Sequence, residues 1–254
     1  MHKLTPLFLL TTALCAQSVR VIPFSESKPF TMGDVTSRRI VHPDLGAKQT
    51  TLNYSVSRPG AEFAQHTHDA SSDTILVLQG EVNLRQGSGL HLFKAGEAAY
   101  IPGGEVHGTV TAGTGEAIMI SFQNPPDFKL YSGARDSKKA GGAAPQGSIT
   151  PGAVKYVRFD DKNGSFTSPA IGAKQGVGAH RRLSASDSFK TKVAAGAEQV
   201  LFVWKGGIAV NDGKTTHKAG EKDTVFIQGP AEITVSGAAP DSRVIQIQAP
   251  PSTN

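Results

Sequence analysis

The chain has 254 residues, of which 38% are hydrophobic and 19% are charged. This length favours two domains of ordinary size, and no internal run is both long and uncharged enough to cross a bilayer. The 26 lysines and arginines against 21 acidic residues give a net charge of +5, but these charges are scattered singly along the chain. We therefore expect a soluble globular protein and do not expect nucleic-acid binding.

The first residues have the pattern of a secretory signal. Lys3 is followed by a mostly apolar run over residues 4–14, and small residues stand near Cys15 and Ala16, where cleavage would occur. We interpret residues 1–16 as a cleaved signal peptide, which predicts a secreted or periplasmic protein. A buried first strand or a membrane anchor is the weaker interpretation because the apolar run is too short to span. A lipoprotein signal, in which lipid is attached to Cys15, is a further alternative. Such signals resemble one another in having a small residue where this chain has Leu14.

Cys15 is the only cysteine in the chain. If cleavage falls after Cys15 or Ala16, the mature protein has no thiol. Disulfide bonds and thiol catalysis are then excluded, and any metal must be held by nitrogen and oxygen atoms.

The body of the chain alternates short apolar segments with glycine, proline, asparagine and serine. Residues 19–44 are turn-rich and are interpreted as an extended lead-in that packs on the first barrel. From residue 49 onward no segment keeps a helical period for long, which favours an all-β sandwich or barrel. The predicted strands of the first half are Thr51–Ser57, Phe63–His68, Thr74–Leu78, Glu81–Arg85, Leu90–Phe93, Ala98–Ile101, His107–Val110 and Ala117–Phe122.

A linker divides the chain into two β domains. Residues 132–150 are rich in Gly, Ala, Ser and Lys and contain almost nothing to bury, and the strand pattern resumes at Val154. The final residues are rich in proline and are expected to fray. The predicted organisation is a first barrel over 17–131, a linker over 132–152, a second barrel over 153–248 and a tail over 249–254.

The two halves resemble each other in sequence. Residues 73–84 align with residues 199–210, and Lys-Ala-Gly-Glu occurs at both 94–97 and 218–221. An internal duplication is the simplest explanation.

The first half alone has a set of potential metal ligands. His66 and His68 are two residues apart, so they face the same side of a strand, and Asp73 and His107 lie on later predicted strands. The aligned positions of the second half do not form a ligand set, and it is predicted to be a degenerate barrel. Those positions are Lys192, Ala194, Gln199 and, near the fourth, Glu232.

The spacing of these residues resembles the two motifs of the cupin superfamily. The first motif is Gly60-x5-His66-x-His68-x4-Asp73-x6-Gly80, in which the family usually has Glu at the acidic position. The second motif is Gly96-x5-Pro102-x-Gly104-x2-His107, in which Thr111 replaces a final Asn. With the duplication, the resemblance is to two-domain cupins, and it implies two tandem jelly-roll β-barrels with one divalent metal inside the first.

The resemblance implies that His66, His68, Asp73 and His107 hold the metal. Three neutral imidazoles would leave coordination positions open for water, oxygen or substrate. Because Asp73 is one methylene shorter than Glu, it is either a direct ligand or a group that orients a histidine, and a three-histidine site is the competing arrangement. Fe, Mn, Ni, Cu, Co and Zn all suit such a site.

Other residues are assigned no chemistry at this stage. His42, His91, His180 and His217 are interpreted as core or surface histidines. Tyr100 is interpreted as packing rather than as an acid. By alternation from His66, we expect Ala64 rather than Phe63 or Gln65 to point into the barrel. Gln123 could line the pocket and is given no role, and no catalytic residue is identified.

Two functions are consistent with this sequence. The first is a metal-dependent oxidoreductase, of dioxygenase type, acting on a small organic substrate; isomerase, lyase or decarboxylase chemistry would use the same ligands. The second is a non-enzymatic cupin that binds a small molecule or a sugar. The expected partner is a small molecule, without nucleic acid or membrane insertion, and the expected assembly is a monomer or homodimer.

Overall fold

The structure is a computed structural model that describes residues 18–131, 145–160 and 163–251. The predicted signal segment, residues 132–144 of the predicted linker and the last three residues of the tail lie outside this range. Within it the chain is almost entirely β-strand, with one short α-helix, α1 (Phe128–Tyr131), and 3-10 turns at Phe24–Glu26, Pro43–Leu45 and Pro169–Ile171. No helix of the described ranges has the length and apolar content needed to cross a bilayer.

The strands of the first half follow the predicted punctuation closely. They are β1 (Val19–Ile22), β2 (Lys28–Met32), β3 (Val35–Val41), β4 (Leu52–Ser57), β5 (Glu62–His66), β6 (Ser72–Gln79), β7 (Glu81–Gln86), β8 (Gly89–Lys94), β9 (Glu97–Ile101), β10 (His107–Ala112) and β11 (Ala117–Asn124).

The second half repeats this series. Its strands are β12 (Lys155–Arg158), β13 (Gly164–Thr167), β14 (Val177–Leu183), β15 (Ser188–Val193), β16 (Glu198–Lys205), β17 (Gly207–Asn211), β18 (Thr216–Gly220), β19 (Thr224–Gln228), β20 (Ala231–Gly237) and β21 (Ser242–Ala249).

Four antiparallel sheets build two barrels of the same topology. The first barrel combines the order β12-β9-β6-β11-β4-β3-β2 with the order β5-β10-β7-β8, and the second combines β1-β19-β16-β21-β14-β13 with β15-β20-β17-β18. Each strand from β14 to β21 occupies the same place in its sheet as the strand numbered ten lower does in the first barrel. For example, β16 corresponds to β6 and β21 corresponds to β11. The predicted pair of jelly-roll barrels is confirmed, and the shared topology supports the duplication.

The two halves exchange one edge strand each. Val19–Ile22, at the start of the predicted lead-in, does not pack on the first barrel as expected: β1 pairs with β19 of the second barrel. Reciprocally, β12 pairs with β9 of the first barrel. Each exchanged strand covers a sheet edge that would otherwise expose unpaired backbone groups. The hydrophobic pattern of the sequence does not show which barrel such a strand joins.

Alternation along the strands separates two kinds of core. On β6, Ile75 and Val77 point into the first barrel, whereas Leu76 and Leu78 pack in a core shared with the second barrel. Phe202 on β16 belongs to the same shared core. The large sheets of the two barrels therefore face each other, and the first barrel keeps its own interior for a site.

Candidate metal centre

The four predicted ligands lie together inside the first barrel. One ligand atom from each of His66, His68, Asp73 and His107 lies within 4.8 Å of the other three, and all four residues are buried. The Nε2 atoms of His66 and His68 are 3.2 Å apart. Oδ2 of Asp73 lies 3.6 Å from Nε2 of His68 and 3.5 Å from Nε2 of His107.

These distances are close to those between ligands of one cation. Two ligand atoms that each lie about 2.1 Å from a metal are about 3.0–3.4 Å apart at the usual coordination angles. The cluster of His66, His68, Asp73 and His107 thus has the donor chemistry and the size of a site for one divalent transition metal.

Three separate segments supply the ligands. His66 is the last residue of β5 and His107 is the first residue of β10, and the two are paired directly across the sheet. Asp73 is the second residue of β6. His68 lies two residues beyond the end of β5, so the predicted strand Phe63–His68 ends early, although the histidine still reaches the centre.

A β-bulge sets the direction of His66. On β5, Ala64 and Gln65 together stand opposite Gly108 of β10, because His66 pairs with His107 while Phe63 pairs with Thr109. The extra residue reverses the alternation, so Phe63 lines the cavity beside His66. The expectation that Ala64 rather than Phe63 points into the barrel was therefore wrong, since strict alternation from His66 does not hold through a bulge.

Hydrogen bonds behind the imidazoles orient all three. Nδ1 of His66 donates to the carbonyl of Ala64 and Nδ1 of His107 donates to that of Glu105, each at 2.9 Å. Nδ1 of His68 donates to Oδ2 of Asp127 at 2.7 Å. Because these acceptors take the Nδ1 proton, each neutral ring directs the lone pair of Nε2 toward the centre.

The atoms that face the centre need a cation. The Nε2 atoms of His66 and His68 lie 3.2 Å apart, and Nε2 of His107 and Oδ1 of Asp73 are buried without a hydrogen-bond partner. Buried acceptors without donors are costly, and a divalent cation would satisfy them together. The residues present therefore fit a resident metal.

Asp73 faces the same point as the imidazoles of His68 and His107. Its Oδ2 lies among the Nε2 atoms of His68 and His107, on the side where a cation would sit. The position behind His68, where an orienting carboxylate belongs, is held by Asp127.

The buried donor residues shift one another's pKa values. Burial lowers the pKa of His66 well below its usual value, and the neighbouring His107 and His68 lower it further. Burial also lowers the pKa of His68, but hydrogen bonds to Asp127 and Asp73 outweigh it and raise the net value. Burial raises the pKa of Asp73, but its interactions with His107 and His68 outweigh burial and hold this pKa well below the usual range. Asp73 is thus a carboxylate, as a metal ligand must be.

Two buried residues beside the centre were not assigned a role from the sequence. Asp127 lies beyond the last strand of the barrel, just before α1, and reaches back to His68. Gln123 pairs directly with Asp73 across β11 and β6, and its Nε2 lies 3.4 Å from Nε2 of His68. The even spacing of Gln123 from Met119 and Ser121 along β11 could have indicated an inward direction, whereas nothing in the strand pattern indicates Asp127.

Tyr100 and the other four histidines of the described ranges form their contacts outside the centre. The hydroxyl of Tyr100 donates to the carbonyl of Gly172 at 3.4 Å, which agrees with its interpretation as packing. His91 stacks on Tyr156 at a ring separation of 3.6 Å, and Nδ1 of His180 donates to the carbonyl of Phe159. His42 and His217 are each near one aspartate, Asp44 and Asp212 respectively.

The second barrel carries other chemistry at the equivalent positions. Lys192 and Glu232 pair directly across β15 and β20, as His66 and His107 do across β5 and β10, and their charged ends lie 3.5 Å apart at the surface. Gln199 is the second residue of β16, which is the place of Asp73 on β6. The metal set is therefore absent at these positions of the second barrel.

Comparisons with known proteins agree with this fold. The sequence model of the cupin domain family matches residues 54–122, which include all four predicted ligands. No curated protein sequence matches the chain.

Several solved structures have a similar fold. The bacterial pirin YhhW of Escherichia coli, in complex with nickel(II), is 18% identical, with a TM-score of 0.70 over 92% of this chain and 100% of that one. The protein Ylba of E. coli is 11% identical, with a TM-score of 0.69 over 97% of both chains. Oxalate decarboxylase of Bacillus subtilis is 11% identical, with a TM-score of 0.67 over 95% of this chain and 78% of that one.

The cupin domain model covers residues 54–122, the described chain has the two-barrel fold of these solved structures, and its candidate metal centre lies in the first barrel.

Proposed function

We propose that the first barrel is a metal-dependent oxidoreductase of dioxygenase type that acts on a small, polar organic substrate. The observation that carries this proposal is that the donor cluster opens onto a cavity whose lining offers polar contacts and no further acid or base. His66, Asp73 and His107 lie in the wall of this cavity.

The lining combines polar groups with apolar cover. Inward-facing residues of β4 and β11 give the polar part, and Phe30, Phe63 and Leu130 pack over it. A small substrate with oxygen atoms could hydrogen-bond to the polar side while the apolar side excludes water. The polar lining residues of these two strands are Asn53, Ser55, Ser121 and Gln123.

The identity of the lining residues favours one reaction class. Among the described residues that line the cavity, the titratable side chains are His66, Asp73 and His107, all members of the donor cluster. Isomerase and lyase chemistry needs a separate group to carry a proton, whereas oxygen chemistry at a metal does not require one. When bound, a redox-active divalent metal would supply Lewis acidity and electrons for reaction with oxygen.

The chain's own residues would prepare the site. Asp127 holds His68 in one tautomer, and Gln123 accepts the backbone N–H of Asp127 through Oε1 at 3.5 Å while its Nε2 faces His68. Gln123 therefore connects the orienting carboxylate with the substrate side of the cavity. We assign it to positioning of His68 and to polar contact with the substrate.

Oxygen uptake tests the proposal. Purified protein, loaded in turn with Fe, Mn, Ni, Cu, Co and Zn, is supplied with phenolics, diketones and sugar acids, and oxygen consumption is measured. We expect substrate-dependent uptake with at least one metal, loss of it in His107→Ala, and no change in His91→Ala, an exposed histidine on β8. Metal binding without uptake or other turnover across the panel would contradict the enzymatic proposal.

The second candidate is a non-enzymatic cupin. The same cavity, with no separate acid or base among its described lining residues, also suits capture of a small ligand on a metal anchor. Ligand affinity that depends on the metal, with the ligand recovered unchanged, would favour this function.

We also propose that the protein is exported. The support is the sequence pattern of residues 1–16, a charged start, an apolar run and small residues near the cleavage point. Mass spectrometry of the protein from culture medium and periplasm would show an N-terminus near residue 16 or 17, whereas a full-length chain retained inside cells would contradict the proposal.

A further inference from the structure

The second barrel contains a cleft at the place of the first barrel's cavity. It is lined by inward-facing residues of β13, β14 and β21, among them Ser165, Arg181, Gln246 and Gln248. Strand pairing establishes the equivalence: Ala179 pairs with Gln246 as Asn53 pairs with Ser121, and Gln248 pairs with Gln199 as Gln123 pairs with Asp73.

The cleft is open where the first cavity is covered. In the first barrel β2 extends the sheet beyond β3, and Phe30 of β2 packs with Leu130 over the interior. In the second barrel the sheet ends at β13, and no further strand of the described ranges extends it. A ligand could therefore enter the second barrel from solvent.

Arg181 gives the cleft a positive charge. Its Nε donates to Oε1 of Gln246 at 3.4 Å, and its guanidinium lies 5.3 Å from the ring centre of Phe189. The neighbouring Arg182 forms an ion pair with Asp241 at 3.3 Å, whereas Arg181 has no carboxylate partner among the described residues. A half-buried guanidinium held by an amide and an aromatic ring, with its remaining N–H groups available, is suited to a carboxylate.

An unsatisfied amide lies beside the cleft. Gln199 is fully buried; its Nε2 donates to the hydroxyl of Thr191 at 3.2 Å, and its Oε1 has no hydrogen-bond partner. Because Gln199 stands directly opposite Gln248, both side chains lie on the interior face. A ligand that brings a hydroxyl to this position would satisfy the buried oxygen.

From these contacts we infer that the second barrel binds a small hydroxylated carboxylate, such as a sugar acid, with its carboxylate on Arg181 and a hydroxyl toward Gln199. The amides of Gln246 and Gln248 and the hydroxyl of Ser165 line the space between them. The duplicated barrel has thus replaced a metal centre by a cationic, amide-lined ligand site. This inference does not depend on the proposed function of the first barrel.

Calorimetry with three matched probes tests the inference. Gluconate carries both a carboxylate and hydroxyls, glucitol lacks the carboxylate, and hexanoate lacks the hydroxyls. We expect the mature chain to bind gluconate at least about tenfold more tightly than either other probe, because glucitol cannot pair with the Arg181 guanidinium and hexanoate cannot donate a hydroxyl to Gln199. Equal binding of hexanoate and gluconate, or no binding of gluconate at millimolar concentration, would overturn the inference.

Variants locate the site. Arg181→Gln should weaken gluconate binding at least about tenfold, and Arg181→Lys, which keeps the charge, should weaken it less. Arg182→Gln is the matched control and should leave binding unchanged, with circular dichroism confirming that each variant is folded. His107→Ala, which disables the metal centre, should also leave gluconate affinity unchanged. Loss of binding in His107→Ala, or full binding in a folded Arg181→Gln protein, would place the gluconate elsewhere.

Discussion

Nδ1 of His68 donates a hydrogen bond to Oδ2 of Asp127 at 2.7 Å, and both side chains are buried. Asp127 is anchored in turn, because its Oδ1 accepts the backbone N–H of Lys129 at the start of α1. A residue outside the barrel strands thereby fixes the tautomer and the direction of a candidate metal ligand. Groups of this kind strengthen a metal site without touching the metal.

Asp127→Ala should weaken metal binding by about 10–100-fold, since His68 loses the acceptor that orients it. Asp127→Asn should lose less, because its amide oxygen can still accept the Nδ1 proton. Competition with a chromogenic chelator measures both affinities. Asp69→Asn is the control, as Asp69 is an exposed acid on the loop after His68. Unchanged affinity in Asp127→Ala would contradict the orienting role.

The pH dependence of metal binding should also report this pair. The pKa of His68 is raised, so in the metal-free protein this ring keeps its proton above pH 6.5, and a metal must displace that proton. Apparent affinity should therefore rise with pH until the pH passes the raised pKa. For the same reason, the stability that protonated His68 gives the metal-free fold is complete below pH 6.5 and is lost as the pH rises through the raised pKa.

Asp127→Asn removes one of the two carboxylate charges that raise the pKa of His68. The proton-linked rise in affinity should therefore begin at lower pH in the variant, even though its affinity at high pH is weaker. Titration of the histidine Cε1 protons by NMR in the metal-free protein measures the pKa directly. An identical titration in both proteins would contradict the assignment.

Asp73→Ala should reduce metal affinity more than Asp127→Ala does. The reason is that Oδ2 of Asp73 lies among the Nε2 atoms of His68 and His107, where a direct ligand sits. We expect a loss beyond the roughly 100-fold upper range for an orienting group. The same chelator competition gives the comparison, and equal losses in the two variants would favour the three-histidine arrangement.

The sequence was sufficient to predict the two-barrel fold and the four donor residues that the structure brings together, because both depend on local spacing. His66, His68, Asp73 and His107 follow strand periods and turns that short-range physics determines. The inward direction of the Phe63 side chain was not predictable in this way, since a bulge depends on the partner strand. Asp127 and the exchange of β1 were missed for a similar reason: both act on segments distant in the chain, and a strand pattern does not encode a tertiary partner.

Gly108 is expected to be essential for the bulge. A Cβ at this position would lie 2.7 Å from the carbonyl oxygen of Phe63 and 3.0 Å from the backbone nitrogen of Gln65, closer than packed atoms allow. Gly108→Ala should lower the free energy of unfolding by about 1–3 kcal/mol and weaken metal binding, because the backbone must shift next to His66 and His107. Thermal unfolding and chelator competition measure the two effects.

Gly115→Ala provides the matched control. A Cβ at Gly115 meets no atom within 4 Å. The metal affinity of the Gly115→Ala protein should equal that of the unmodified protein. A similar loss of affinity in Gly108→Ala and Gly115→Ala would exclude a specific role for the bulge.

Gln175 links the second half of the chain to the metal centre. Its Oε1 accepts the backbone N–H of Ser72 at 2.9 Å, and its Nε2 donates to the carbonyl of Ala70 at 2.7 Å. These two bonds hold the loop between His68 and Asp73 in place. Gln175→Ala should therefore reduce the stability of the fold by about 1–3 kcal/mol and weaken metal binding.

Two further variants separate this effect from general destabilisation. Lys174→Ala, at an exposed neighbouring position, should change neither stability nor affinity. Gln175→Glu keeps an acceptor for Ser72 but places a carboxylate against the carbonyl of Ala70, so it should not restore affinity. Hydrogen exchange at the Ser72 amide gives a local measurement, and we expect faster exchange in Gln175→Ala, which removes the acceptor of this amide. Unchanged exchange together with unchanged metal affinity would show that the second half of the chain does not support the centre through this residue.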